Sequence, residues 1–236
     1  MKSIAITSNQ PRHREFINRL EKIIELDLVV VLAKKEGDKH FLRSENKFFN
    51  KFDDLRANII ECNPSHLNST RLKSLLTSAS ADMFFVFGAP LLKKELFSIP
   101  SKGCINIHTG LVQHHRGVDS CYWAIEEEKP ETIGATLHYI DESIDGGNII
   151  DQSTTNNIEA SDTVDDIFMK TCITGFDLLE KNMYNILENN VKSFVLNKRG
   201  KLYQMKDMDF ATKLQIRDKT HRVLEKHLNG NNSRPL

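Results

Sequence analysis

No run in this chain approaches the roughly 20 apolar residues that a membrane span requires. The first ten residues, MKSIAITSNQ, hold one lysine and an apolar patch too brief for a secretory signal. Net charge is absent as well: 32 Lys+Arg face 32 Asp+Glu, so the whole chain gives no electrostatic argument for nucleic acid or an anionic membrane. Cysteine is scarce. Cys62, Cys104, Cys121 and Cys172 show no CxxC spacing, which excludes a disulfide scaffold and fits free thiols in a reducing cytoplasm. Neither an HxxxH nor an HExxH helix is present, so a zinc site built from His108, His114 or His115 with Asp145 finds no supporting motif, and no metal is expected. No internal repeat is found.

What is there suits one substantial core: 236 residues, 27.0 kDa, 39% hydrophobic and 27% charged, with a mean hydropathy of −0.40. Charge is uneven. From Asn190 onward there are eleven Lys/Arg against four Asp/Glu, a basic tail that is either a solvated face or the lining of an acceptor or homodimer surface.

Apolar runs alternate with helical periods. SIAIT (3–7), LDLVVVLAK (26–34), ADMFFVFG (81–88) and GCINIH (103–108) read as buried strands, and TIGATLHYI and GGNIIDQS as two more. Between them, Phe16, Ile17, Leu20, Ile23 and Ile24 recur at helical spacing after Pro11, with Ser8 or Asn9 near the cap. Helices are also expected from about Pro64, over LLKKELFSIP, over VDSCYWAIEEE, and from a Ser161 cap through Met183. Residues 36–58 give no clear pattern. The pattern predicts an α/β fold, a Rossmann-like, mostly parallel sheet with helices on both faces. A domain over 1–189 would carry the site. A small appendage over 190–236 would hold a polar helix to about Leu228 and a frayed end.

Ligands of such sheets bind at the carboxyl ends of the strands. Three ends then share an edge: Thr7–His13, Gly88–Leu91 and His108–Gly117. Asn106 and His108, two apart on a strand, point to one side, where polar groups are costly unless paired or functional. Further on, a strand through His138 leads to a loop carrying Asp141, Asp145 and the pair Gly146-Gly147, which permits a tight turn and close approach.

INIHTGLVQHHRG followed by IGATLHYIDESIDGGNIIDQ resembles the formyltransferases that use N10-formyltetrahydrofolate. That family has Asn-x-His at a strand end, a Leu-rich loop closing in Arg-Gly, then Gly-x-Thr-x-His and an Asp-x-Gly loop. The resemblance is specific over Asp82–Gln152. It implies Asn106, His108 and Asp145 as the catalytic residues, and a pterin held near Gly88, Ala89, Leu91, Leu92, Ile140 and Asp141. Asn106 would donate an amide N–H to the formyl oxygen as charge develops there. His108, of a residue type titrating near about 6.5, would take the amine's proton or donate to the oxyanion, and Asp145 would orient it and help relay a proton.

The acceptor is read from the first loop. Asn9, Arg12 and His13 at a helix start would favour an anion such as a phosphate, with His115 and Arg116 as further contacts. The loop lacks the glycines of the purine-pathway relatives, and the chain is too short for the RNA-binding domain of the tRNA-directed ones. The resemblance is greatest to the short enzymes that formylate a nucleotide-linked amino deoxysugar, such as those of O-antigen synthesis, and KLYQMKDMDF echoes their tail. A hydrolase of the same folate, a ribotide formyltransferase, and a binding module with a decayed site are the alternatives. The chain departs from the family where His-Pro-Ser-Leu-Leu-Pro becomes His108-Thr109-Gly110-Leu111-Val112-Gln113, and where His115 replaces a tyrosine.

Overall fold

The computed structural model describes residues 1–33 and 37–232. Its main sheet has seven strands in the order β3-β2-β1-β4-β5-β7-β8. They are β1 (Ser3–Ser8), β2 (Leu28–Leu32), β3 (Asn58–Cys62), β4 (Met83–Phe87), β5 (Cys104–His108), β7 (Gly134–Tyr139) and β8 (Ile149–Thr154). The first five are parallel, and β7 runs antiparallel between β5 and β8. A separate two-stranded sheet pairs β6 (His115–Gly117) with β9 (Lys201–Tyr203).

The inner strands β1, β2, β4 and β5 are mostly apolar because both faces are covered. On one face Ala5, Val29, Phe85 and Ile107 pack under α1 (Pro11–Ile23) and α6 (Val164–Leu187), through Phe16, Leu20, Cys172 and Phe176. The alternate residues Ile4, Ile6, Val30 and Phe84 turn to the other face, against Leu72 and Leu76 of α3 (Thr70–Ala79) and Leu96 of α4 (Lys94–Phe97). The Rossmann-like reading therefore holds, with helices on both sides.

The C-terminal segment adds to a third cluster. Ile216, Val223 and Leu224 of α7 (Phe210–Asn232) pack with Cys121, Tyr122 and Ile125 of α5 (Ser120–Glu126) and with Val164 and Ile167 of α6. The cations of α7 meet acids: Lys213 meets Asp119, Arg217 meets Asp38 and Asp165, Lys219 meets Glu126, and Arg222 and Lys226 share Glu128. The fraying expected from Asn229 is corrected in part, since α7 continues to Asn232; the remaining four residues lie outside the described ones.

Several local expectations need correction. Gln10, next to Ser8 and Asn9, occupies the α1 cap and Pro11 the first turn; Gln10 makes no side-chain cap bond, its Oε1 accepting from Arg12 Nη2 at 3.1 Å. The unassigned 36–58 stretch contains α2 (Lys39–Phe48), whose first turn is capped by Asp38 accepting from the His40 and Phe41 N–H groups, and it leads into β3. The helix expected from Pro64 is instead a short 3₁₀ turn, Pro64–His66, followed by α3, which Ser69 caps. Thr163 rather than Ser161 caps α6, in a reciprocal capping box with Asp166.

Candidate active site

The antiparallel register of β5 and β7 builds the centre of the site. It sets Asn106 opposite His138 and His108 opposite Thr136, so four polar side chains share one patch of an otherwise apolar sheet. The loop after β7 then returns Asp145 to the same place. Its Oδ2 lies 3.4 Å from His108 Nδ1 and its Oδ1 3.5 Å from His138 Nε2. Asn106, His108 and Asp145, separated in sequence, are thus joined in space, with His138 as the link.

The hydrogen bonds order these groups. His138 Nδ1 lies 2.8 Å from the Tyr139 carbonyl, which assigns a hydrogen to Nδ1. Its Nε2, 3.1 Å from the Asn106 amide nitrogen, then accepts from it and fixes the plane of the amide. His108 Nε2 donates to the His115 carbonyl at 3.0 Å, with Ser120 Oγ at 3.4 Å. Both nitrogens of His108 therefore face acceptors, one a carbonyl and the other the Asp145 carboxylate, a cradle suited to an imidazolium.

Burial pushes the Asp145 carboxyl up, but His108 and the Gly117 N–H at 2.8 Å outweigh it and hold the group well below the usual carboxylate range. Asp145 is also one of few non-glycine residues at positive φ, +46°, a conformation that Asp tolerates better than most and that recurs at functional positions.

Gly88, Ala89, Leu91, Leu92, Ile140 and Asp141 gather on one flank. Leu92 is buried in the second core, with Ala89 and Ile140 packed beside it, while Leu91 is exposed. Gly88 adopts φ +64° at the end of β4. Asn68 holds the segment by donating to the Leu91 carbonyl and accepting from Lys93 N. A Lys94–Glu142 ion pair ties it to the 140–145 loop, where Asp141 accepts from Ser143 N at 2.8 Å.

The proposed anion contacts are placed differently. Arg12 pairs with the buried Glu45 and lies over the rings of Phe41 and Phe168. His13 is 0% exposed; the Thr7 hydroxyl donates to the Phe87 carbonyl and so accepts from His13 Nδ1 at 2.8 Å. These two side chains hold β1 and α1 to their neighbours, and neither presents a charge to an incoming phosphate. Asn9, by contrast, is exposed at the end of β1. His115 is buried, its ring 3.6 Å from Glu127, and burial lowers its pKa despite that carboxylate. Arg116 donates Nε to the Gly200 carbonyl and Nη1 to the Ile144 carbonyl, bracing the loops rather than projecting from them.

The sequence places His138 only on the strand that leads to the Asp145 loop, and it does not mark Ser120 and Thr136 as partners of the site. Thr136 Oγ1 donates to the Gly110 carbonyl at 2.7 Å. The signal for His138 was its alternation within GATLHY, but only the antiparallel register reveals what it faces. Among the described residues no cluster of His, Cys, Asp and Glu fit to hold a metal is found, and no helix is long and apolar enough to cross a membrane.

The sequence model of the formyl transferase family matches residues 1–178. A methionyl-tRNA formyltransferase of Buchnera aphidicola is 28% identical over 190 residues, covering 79% of this chain and 60% of that protein. The chain therefore spans less than two thirds of that relative. Among solved structures, a sugar N-formyltransferase from Shewanella superposes with a TM-score of 0.66 at 19% identity, covering 94% of this chain and 88% of its own. An N-formyltransferase from Helicobacter canadensis, in complex with folinic acid and dTDP-3-aminofucose, gives 0.60 at 20% identity, over 92% of this chain and 80% of its own. At these identities the superpositions establish a shared fold.

Proposed function

The chain belongs to the formyl transferase family, and from that premise we propose that it moves a formyl group from N10-formyltetrahydrofolate to the amino group of a nucleotide-linked amino deoxysugar. The observation that carries the reading is the convergence of Asn106, His108 and Asp145, with His108 and Asp145 3.4 Å apart. The amine nitrogen attacks the formyl carbon and forms the new C–N bond. Charge gathers on the formyl oxygen, toward which Asn106 donates its second N–H, the first being taken by His138. The amine's proton passes to the His108–Asp145 unit. As the bond to the folate N10 breaks, that nitrogen recovers a proton from the same unit or through water. The folate's pterin would lie along Gly88–Leu92 and the Ile140–Asp145 loop.

Two observations support a small acceptor. The Helicobacter canadensis neighbour holds a dTDP-linked amino sugar beside folinic acid. On α7, Lys213, Arg217 and Lys219 each meet an acid, and Arg222 and Lys226 share Glu128, so much of the positive charge that would draw a tRNA backbone to this helix is offset. The tRNA reading rests on the curated relatives, which share only part of their length with this chain.

An assay of purified protein with N10-formyltetrahydrofolate and a panel of acceptors tests the proposal. The panel holds nucleotide-linked amino sugars, a phosphorylated ribosylamine derivative and methionyl-tRNA. Tetrahydrofolate release that depends on an amino sugar is expected. Release with tRNA alone would move the acceptor to the second reading, and formate release without any acceptor would make the protein a hydrolase.

A further inference from the structure

The loop from Thr109 to Val118 contains Gly110 and Gly117 and no proline, and its internal turn, in which His114 N and His115 N donate to the Leu111 carbonyl, stops short of Arg116 and Gly117. Yet it supplies two of the contacts that define the catalytic pair: the His115 carbonyl, which receives His108 Nε2 at 3.0 Å, and the Gly117 N–H, which reaches Asp145 Oδ2 at 2.8 Å. Thr136 holds the first half of the loop at Gly110 and Val112, and the second half takes its order from elsewhere in the chain. The source lies some 85 residues away.

Residues 200–203 cross this loop and bond to it along its length. Gly200 N donates to the Val112 carbonyl at 2.8 Å and Lys201 N to the His114 carbonyl at 3.1 Å. Beyond these, β9 pairs in parallel with β6, Arg116 opposite Leu202 and Gly117 opposite Tyr203, and Val118 N donates to the Tyr203 carbonyl at 3.1 Å. The crossing is close enough to need glycine on both sides. A Cβ on Gly117 would fall 2.0 Å from the Tyr203 carbonyl oxygen, and one on Gly200 2.3 Å from the His114 backbone.

The strap is itself anchored at one end. The buried Tyr203 ring stacks on Trp123 at 4.2 Å and 13°, and its hydroxyl donates to Glu127 at 2.7 Å. Both partners belong to the α5 region, which packs into the third core.

We propose that the strap Gly200–Tyr203 sets the distance and orientation of His108 and Asp145 through the loop it grips, making Gly200 and Tyr203 positioning residues for the transfer step. Neither touches His108 or Asp145. Gly200 fixes the loop's approach, and Tyr203 fixes the height of β6 and so of the Gly117 N–H. The kinetic part of this claim rests on the proposed formyl transfer; the structural part does not.

The test compares wild type with Gly200→Ala, Tyr203→Ala and Tyr203→Phe, and with Leu76→Ala as a control that weakens the opposite core. Two quantities are read: the split of kcat against KM for both substrates, and hydrogen exchange at the Gly117 and Val118 amides. In Gly200→Ala and Tyr203→Ala, kcat falls by up to about 10²-fold, the scale of a 1 Å misplacement, with KM nearly unchanged. Exchange at Gly117 quickens about tenfold or more while β1 and β4 stay protected. Tyr203→Phe keeps the stacked ring and retains most of kcat. The proposal is overturned if kcat falls only as far as in a Leu76→Ala protein of matched melting temperature, or if exchange at Gly117 stays at the wild-type rate. Should wild type transfer formyl to no acceptor, the function proposal fails alone, and the Gly117 exchange still decides whether the strap orders the loop.

Discussion

His138 Nε2 accepts a hydrogen from the Asn106 amide 3.1 Å away, across the one antiparallel pair that touches β5. The same nitrogen lies 3.5 Å from Asp145. One imidazole therefore sets the donor meant for the formyl oxygen and faces the carboxylate meant to support His108.

Removing that ring should loosen Asn106 without removing it. We expect His138→Ala to lower kcat/KM for the folate by about 10- to 100-fold, the equivalent of one hydrogen bond of about 1.5–3 kcal/mol to a charged or strongly polar group. Steady-state kinetics with circular dichroism as a folding check reads this. A loss below twofold would show that Asn106 is oriented by other means.

Asn106→Ala should cost more at the chemical step, about 10²–10³ in kcat, because it deletes the oxyanion donor itself. The residue is only partly buried, so the melting temperature should stay close to wild type. Equal losses in kcat and thermal stability would assign Asn106 to the fold rather than the reaction.

Asp145 carries a pH signature. Burial raises its folded pKa, but His108 and the Gly117 N–H overcome that and leave it below its ordinary value. A carboxyl so shifted stabilises the fold fully above its unfolded pKa, about 3.9, and loses that contribution as pH falls through the folded value. The stability difference between wild type and Asp145→Asn should be fully present near pH 5 and shrink below about pH 4. Urea titrations across that range measure it, and a difference that already shrinks between pH 7 and pH 5 would contradict the shift.

Arg12 and Glu45 form a buried pair, with side chains 11% and 1% exposed. Glu45→Ala strands a buried guanidinium and should destabilise by about 3–5 kcal/mol. The double variant Arg12→Met, Glu45→Leu should recover much of that stability and leave the acceptor KM unchanged. A large rise in KM for the double variant would restore Arg12 as an anion contact.

This pair shows where sequence reading reached its limit. Arg12 at a helix start looked available to a phosphate, since nothing local reveals an acid 33 residues on that neutralises it. α2 was masked in a similar way: its fully buried residues are Ser44 and Glu45, and only Phe41 and Phe48, seven apart, carry its apolar face. β3 escaped notice because it is an edge strand with Ile59 47% exposed. The strands β1, β2, β4 and β5 were plain because burial on both faces leaves unbroken apolar runs. Asn106 and His108 stood out against just such a run, and Asp145 was legible beside its two glycines. The partners that orient them were not, because His138, Ser120 and the strap at 200–203 reach the site through strand register and tertiary packing.

The most direct measurement is a crystal structure of this protein with a 5-formyl analogue of tetrahydrofolate, solved alone and with an acceptor. The account predicts the formyl oxygen within about 3 Å of Asn106 Nδ2, with the formyl group flanked by His108 and Asp145. A formyl group bound at another strand end, with Asn106 and His108 touching only protein, would contradict it.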